Sequence, residues 1–230
     1  MSTQVVILAA GMGTRLGSPL PKTLTVLRDG RSIMQQQFDN LTNAFGSDYR
    51  PMIVVGFKLE AIMERFASAT FVYNELFDQT NTSKSLLKAL RASQDGGVLW
   101  LNGDVVFDPE VLQRVKPAIE AGESFVVVNT SKVSDEEVKY TLDGTGYILE
   151  LSKIVSGGLG EAVGINYVSG ADKQALIERL NEVGDNDYFE RGIELAIEKD
   201  RLKFKAIDIS DLYAVEIDFA EDLDRANELF

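Results

Sequence analysis

The sequence predicts an α/β fold, a mostly parallel sheet with helices on both faces, and three observations lead there. The first is the run from Val5 to Ala10, apolar at every position, which reads as a strand buried on both sides. The second is its repetition: short apolar runs at residues 51–55, 70–73 and 98–101 alternate with segments of helical period. The third is the glycine-rich loop that follows Ala10, because open sheets of this kind bind ligands in loops at the carboxyl ends of their strands. A length of 230 residues with 45% hydrophobic content suits one domain with a small insertion.

Each element has a local reason. After the loop, Ser32 supplies a cap for a helix with Ile33, Met34, Phe38, Leu41 and Phe45 on one face. Residues 51–55 form the second strand, and Leu59, Ile62, Met63 and Phe66 mark an amphipathic helix. Residues 70–73 form the third strand, 83–92 a helix with Leu86, Leu87 and Leu90 inward, and 98–101 the fourth strand. Strand–helix units of this length imply right-handed crossovers. Past Asn129 the pattern changes to an antiparallel hairpin, 138–142 and 147–151, around the turn pair Asp143-Gly144. A glycine-rich segment at 157–160 leads into a strand at 162–168, helices near 171–181 and 187–198, and strands at 203–207 and 214–217. A last helix turns Leu223, Ala226 and Leu229 inward, with Asp218 and Glu221 spaced as a capping box at its start. Trp100 is read as core. The expected division is 1–130 for a nucleotide-binding half, 131–213 for an acceptor-binding part, and 214–230 for a return strand and helix.

Composition narrows the chemistry. With no cysteine and no histidine, disulfides, thiolate nucleophiles, His-based triads and ordinary zinc sites are excluded. Any metal must be held by oxygen, which favours Mg²⁺, with Mn²⁺ as the alternative. A formal net charge of −13 opposes nucleic-acid binding, so a small anion needs a local cationic pocket. No run approaches the roughly 20 apolar residues of a membrane span, and no leader pattern is present, so the expected location is cytoplasmic and the expected partners are small molecules.

The loop from Gly11 to Lys22 reads as a phosphate cradle. Gly11 and Gly13 are expected at positive φ, exposing N–H groups to an anion, and Arg15 and Lys22 add charge. The dinucleotide fingerprint fails because Leu16 occupies the third glycine's place and the next strand ends Val54-Val55-Gly56 without an acid. The P-loop fails because Lys22 follows Pro21 rather than a glycine. Downstream, Asp104 in Leu101-Asn102-Gly103-Asp104 sits after a buried strand, where a metal on a triphosphate would lie, or serves as a turn acid. Asp218 is a metal ligand, a helix cap, or both. Lys153 reaches an acceptor phosphate or is a solvated surface group.

The G-x-G-T-R loop with its downstream P-K resembles the signature of nucleotidyltransferases that join a nucleoside triphosphate to a small phosphorylated acceptor. Asp104, Lys153 ahead of Gly160-Glu161-Ala162-Val163-Gly164-Ile165, and Ile217-Asp218 match the family's later motifs, so the resemblance runs nearly the full length. It implies a Rossmann-like layer in the first half. It also implies that Arg15 holds the β- and γ-phosphates, Lys22 the α-phosphate, and Asp104 and Asp218 the Mg²⁺, while Lys153 holds the acceptor phosphate. Leu8, Ala9, Ala10, Gly11, Gly13, Thr14, Ser83, Asn102 and Gly103 would complete the nucleotide site, and Asn81, Glu161, Tyr188 and Glu190 the acceptor site.

Tyr73-Asn74-Glu75 through Asn81-Thr82-Ser83 is similar to the Y-N-E and N-x-x-S stretch of bacterial phosphocholine and aminoalkylphosphonate cytidylyltransferases, although Gln79-Thr80 precedes Asn81. That branch implies CTP as the donor. Tyr188, Phe189 and Glu190 either meet an ammonium group or belong to a buried helix face, since Phe189, Ile193 and Ile197 share a stripe. Sugar-1-phosphate uridylyl- or thymidylyltransferases share the same constellation, and a non-catalytic nucleotide-binding homologue is the third expectation.

Overall fold

The computed structural model describes residues 3–13, 17, 19–131 and 137–229. Its frame is a sheet in which β1 (Thr3–Ala9) lies between β2 (Tyr49–Val55) and β4 (Val98–Asn102), parallel to both, with β3 (Thr70–Tyr73) parallel to β2 at the edge. On the other side β9 (Glu161–Val168) runs antiparallel between β4 and β6 (Phe125–Asn129), and β10 (Lys205–Asp208) pairs parallel with β6. The hairpin β7 (Lys139–Leu142) and β8 (Ile148–Ser152) hangs from β9 at Lys139 and Glu161.

Alternation along β1 splits the core in two. Val5, Ile7 and Ala9 pack with α1 (Ile33–Phe45), α2 (Leu59–Arg65) and α4 (Glu110–Ala121) on one face. Val6, Leu8 and Ala10 pack with α3 (Thr82–Ala92), α5 (Lys173–Glu182) and α6 (Phe189–Asp200) on the other. Trp100 is fully buried there, edge-on to Phe189 with ring centroids 5.6 Å apart. No helix among the described residues is long and apolar enough to cross a membrane.

A second, two-stranded antiparallel sheet joins β5 (Val105–Phe107) to β11 (Ala214–Glu216). A separate cluster of Leu27, Ile33, Val106, Val215, Ile217 and Ala226 packs it against α7 (Ala220–Asn227). Periodicity leaves residues 105–129 unassigned, yet β5, α4 and β6 lie there. Pro109 at the start of α4 and Pro117 inside it mask the helical pattern.

Ser32 Oγ does cap α1, accepting from Gln35 N–H at 3.2 Å. Other local expectations change. The hairpin closes over Asp143 to Tyr147, with the positive φ at Gly146 rather than Gly144, because the Asp143 carboxylate accepts from Thr145 N–H and Tyr147 N–H. At α7 the capping carboxylate is not Asp218. Asp222 Oδ2 accepts from Asp218 N–H at 3.0 Å and Phe219 N–H at 2.8 Å.

Candidate active site

The glycine loop leaves the carboxyl end of β1 and meets a short 3-10 turn, Lys22–Leu24, across a cavity of about 240 Å³. Leu8, Ala9, Gly11, Gly13, Lys22, Thr23, Gly103, Asp104 and Asp218 line it. Gly13 has φ +57°, and a Cβ there would stand 2.8 Å from Lys22 Cβ, so the lysine's place requires glycine opposite. Gly11 does not adopt positive φ, against expectation, and its α-carbon faces open space. Gly103 closes the far wall: its N–H donates to Leu8 O at 2.9 Å, and a Cβ would approach that oxygen to 2.6 Å.

The carboxylates are assembled by pairing between distant segments. β4 ends in the turn Asn102-Gly103-Asp104 and continues as β5, where Val105 is registered against Glu216 of β11. Ile217 N–H donates to Asp104 O at 3.0 Å. Glu216 and Asp218 are two apart on an extended segment and so share a side. One oxygen from each of Asp104, Glu216 and Asp218 lies within 4.8 Å of the others. Three carboxylates in one small space resist ionising together. The charge of Asp104 first, then burial and Glu137, holds the Glu216 carboxyl well above the ordinary range. Lys22 Nζ donates to Asp104 Oδ2 at 2.7 Å and to Asp218 Oδ1. Burial alone would lower the Lys22 pKa, but the combined pull of Asp104 and Asp218 outweighs it and keeps the ammonium charged.

The turn that carries Asp104 is held from behind by the buried polar side of α1. Gln37 Nε2 donates to Asn102 O and Val105 O, both at 2.8 Å. Gln36 and Asn40 donate to Phe107 O at 2.7 and 2.9 Å. These bonds satisfy carbonyls that the break between β4 and β5 leaves inside the protein.

A second cavity, about 230 Å³, adjoins the first at the carboxylates. It shares Leu8, Gly11, Asp104 and Asp218 with the first and adds Asn102, Lys153, Tyr188 and Glu190 among its walls. Lys153 Nζ sits 4.9 Å from the centroid of the Tyr188 ring. Glu190, near the start of α6, is 7% exposed, and burial pushes its carboxyl up to about 7.

A family model described as the MobA-like NTP transferase domain matches residues 5–180. The chain belongs to this family. Among curated relatives, the CMP-5'-(3-aminopropyl)phosphonate synthase of Streptomyces rubellomurinus is 37% identical over 127 residues, 51% of this chain and 20% of that protein. The bifunctional protein GlmU of Stutzerimonas stutzeri is 31% identical over 186 residues, 77% of this chain and 36% of that one. The chain thus spans about a fifth to a third of the length of these curated relatives. Among solved structures, the CTP:phosphocholine cytidylyltransferase LicC of Streptococcus pneumoniae superposes with a TM-score of 0.80 at 17% identity, covering 100% of this chain and 99% of that one. The inositol-1-phosphate CTP transferase of T. maritima gives 0.79 at 18% identity, over 99% and 94%. UDP-glucose pyrophosphorylase complexed with UDP-glucose gives 0.77 at 15% identity, over 100% and 98%.

Of the residues expected at the site of this NTP transferase domain, Leu8, Ala9, Gly11, Gly13, Lys22, Asn102, Gly103, Asp104, Lys153, Tyr188, Glu190 and Asp218 line one or both cavities. Thr14 and Arg15 lie outside the described residues. Ala10 is buried in the core, with its carbonyl accepting from Phe57 N–H at 3.0 Å. Asn81 caps α3, accepting from Thr82 N–H at 2.8 Å, and Nδ2 donates to Asn186 O at 3.2 Å, tying α3 to the segment before α6. Ser83 is fully buried behind it. Glu161 lines a neighbouring groove beside Glu137 and Asp222 rather than the acceptor-side cavity. Glu216 is the residue that sequence reasoning missed. Its signal was the acidic pair Glu216 and Asp218 at strand spacing.

Proposed function

We propose that this protein transfers a cytidylyl group from CTP to a small phosphorylated acceptor such as phosphocholine or an aminoalkylphosphonate, releasing pyrophosphate. The observation that carries the reading is the pair of cavities sharing Asp104 and Asp218: a triphosphate on the Lys22 side and an acceptor on the Lys153 side would meet over the same carboxylates. Asp104, Glu216 and Asp218 form an all-oxygen donor set that fits Mg²⁺ or Mn²⁺. Bound there, the ion would neutralise triphosphate charge and polarise the α-phosphorus.

The chain's own residues then have separable tasks. Lys22, already charged between Asp104 and Asp218, meets the α-phosphate, and Arg15 is assigned to the β- and γ-phosphates by family resemblance. Lys153 orients the acceptor phosphate. An acceptor oxygen attacks the α-phosphorus in line. The new P–O bond forms as the bond to the β-phosphate oxygen breaks, and pyrophosphate leaves with the electron pair. An acceptor phosphate is already ionised near neutrality, so the absence of histidine costs the reaction nothing.

Likeness to the aminopropylphosphonate relative and to two CTP-dependent neighbours supports CTP. The likeness to UDP-glucose pyrophosphorylase supports a sugar-1-phosphate uridylyl- or thymidylyltransferase as the second reading. The test is pyrophosphate release with Mg²⁺, crossing CTP, UTP, dTTP, ATP and GTP against phosphocholine, 2-aminoethylphosphonate, glycerol phosphate and hexose 1-phosphates. Release with CTP and an aminoalkyl acceptor is expected. Release only with UTP or dTTP and a hexose 1-phosphate selects the second reading. Nucleotide binding without release from any pair makes the chain a non-catalytic nucleotide binder.

A further inference from the structure

Lys22 has a fixed root and a movable head. Its Cβ packs against Gly13, and its carbonyl accepts from Thr25 N–H at 3.0 Å within the 3-10 turn, so the backbone is held. Beyond Cβ the flexible stem ends in a compact charge with several rotatable bonds behind it. That charge is directed at the carboxylates: Nζ donates to Asp104 Oδ2 at 2.7 Å and to Asp218 Oδ1, and the side chain is only 13% exposed. Asp104 and Asp218 are two of the three carboxylates whose convergence fits a divalent ion. Mg²⁺ takes such oxygens at about 2.0–2.1 Å, so an ion held there would stand at short range from an ammonium on the same two groups. Two cations that close in a partly dehydrated pocket repel strongly, and one must yield. We infer that the Lys22 ammonium keeps the place of the divalent ion and surrenders it when a triphosphate arrives, so that free metal is held off and metal enters together with nucleotide.

The competing account is a permanent salt bridge that only braces the fold. Against it, Lys22 lines the same cavity as Gly11 and Gly13, where a triphosphate offers the ammonium an anion of higher charge than one carboxylate. Rotation of the stem toward that anion releases Asp104 and Asp218 together, because one nitrogen holds both. The resident cation also spares the protein a cluster of partly buried carboxylates with no counter-charge before the ligands bind. The resulting coupling is reciprocal: metal raises the affinity for nucleotide by the factor by which nucleotide raises the affinity for metal.

This inference rests on the metal site and nucleotide cavity as read above, and its test has arms that fail separately. Mn²⁺ binding is measured by paramagnetic resonance, without nucleotide, for the wild type, Lys22→Met and Lys153→Met, with thermal melting as a check on folding. Lys22→Met is expected to bind free Mn²⁺ about 10- to 100-fold more tightly than the wild type, because the competing ammonium is gone. Lys153→Met removes the same charge from the neighbouring cavity and is expected to change the affinity by no more than about 3-fold. Unchanged or weaker binding in Lys22→Met overturns the inference, as does an equal gain in Lys153→Met, which would make the effect one of net charge. In the wild type, the Lys22 Cε resonance is expected to shift on saturation with Mg²⁺ alone. A resonance that Mg²⁺ leaves unmoved overturns the inference even where Lys22→Met folds poorly. A gain in Lys22→Met with no pyrophosphate release by the wild type from any nucleotide and acceptor pair supports the inference and defeats nucleotidyl transfer. Release by the wild type with no gain in Lys22→Met does the reverse.

Discussion

Asp104 and Asp218 are two of the three carboxylates that converge, and each also faces the Lys22 ammonium. Replacing either by asparagine keeps shape and removes a charge, so turnover should fall by at least about 100-fold while folding changes little. Pyrophosphate release beside thermal melting checks this, and full activity would refute a metal role for that residue. Glu190 has the opposite economy. Its ordinary pKa of 4.5 rises to about 7 in the folded protein, driven by burial first and then by the charges of Glu194 and Glu137, against the lowering pull of a backbone hydrogen bond and of Lys153. Between those values the folded state holds the extra proton, so stability contributed at this site is lost as pH rises from about 4.5 to 7, roughly 3 kcal/mol in all. Glu190→Gln should therefore be more stable than wild type at pH 8 and show a flatter stability profile across that window, measured by denaturant titration. Asp104 and Asp218 were legible because each follows an apolar strand. Glu216 was hidden within such a strand, where alternation ordinarily signals only a solvated side.

Helix α1 shows why periodicity reads an element's existence better than its packing. The apolar stripe places Ile33, Met34 and Leu41 in the core, yet Phe38 and Phe45 are only partly buried. Gln36, Gln37 and Asn40 are buried instead, at no more than 2% exposure. Their burial depends on a gap in a neighbouring sheet, the break between β4 and β5, which leaves no mark on the helix's own sequence. Gln37→Leu should strand the carbonyls of Asn102 and Val105, costing about 1–3 kcal/mol for each acceptor left without a donor. The same change should loosen the Asp104 turn and weaken Mn²⁺ binding, which paramagnetic resonance and denaturant titration together would detect. Unchanged stability would mean that water replaces the glutamine.

The mostly parallel sheet was legible as continuous apolar runs, but the antiparallel course of β9 between β4 and β6 was not, because strand direction has no local signature. At the same scale, a net charge of −13 repels a triphosphate approaching from solvent. Raising ionic strength from about 0.01 to 0.15 M shortens the Debye length from about 30 to 8 Å. Metal-free CTP should bind more tightly over that range, and Mg²⁺-complexed CTP should change less. Equilibrium dialysis with and without chelator measures the difference, and weaker binding of free CTP with added salt would show that local cations dominate.

The pairing of β5 with β11 also has a temporal meaning. Every strand of the large sheet precedes residue 209, whereas two of the three converging carboxylates follow it. During synthesis from the amino terminus, the scaffold can be complete while the centre still lacks most of its negative charge. Chemical competence therefore depends on residues that follow the last strand of the scaffold in sequence, and a variant lacking residues 209–230 should keep every strand of the large sheet while losing two of the three carboxylates.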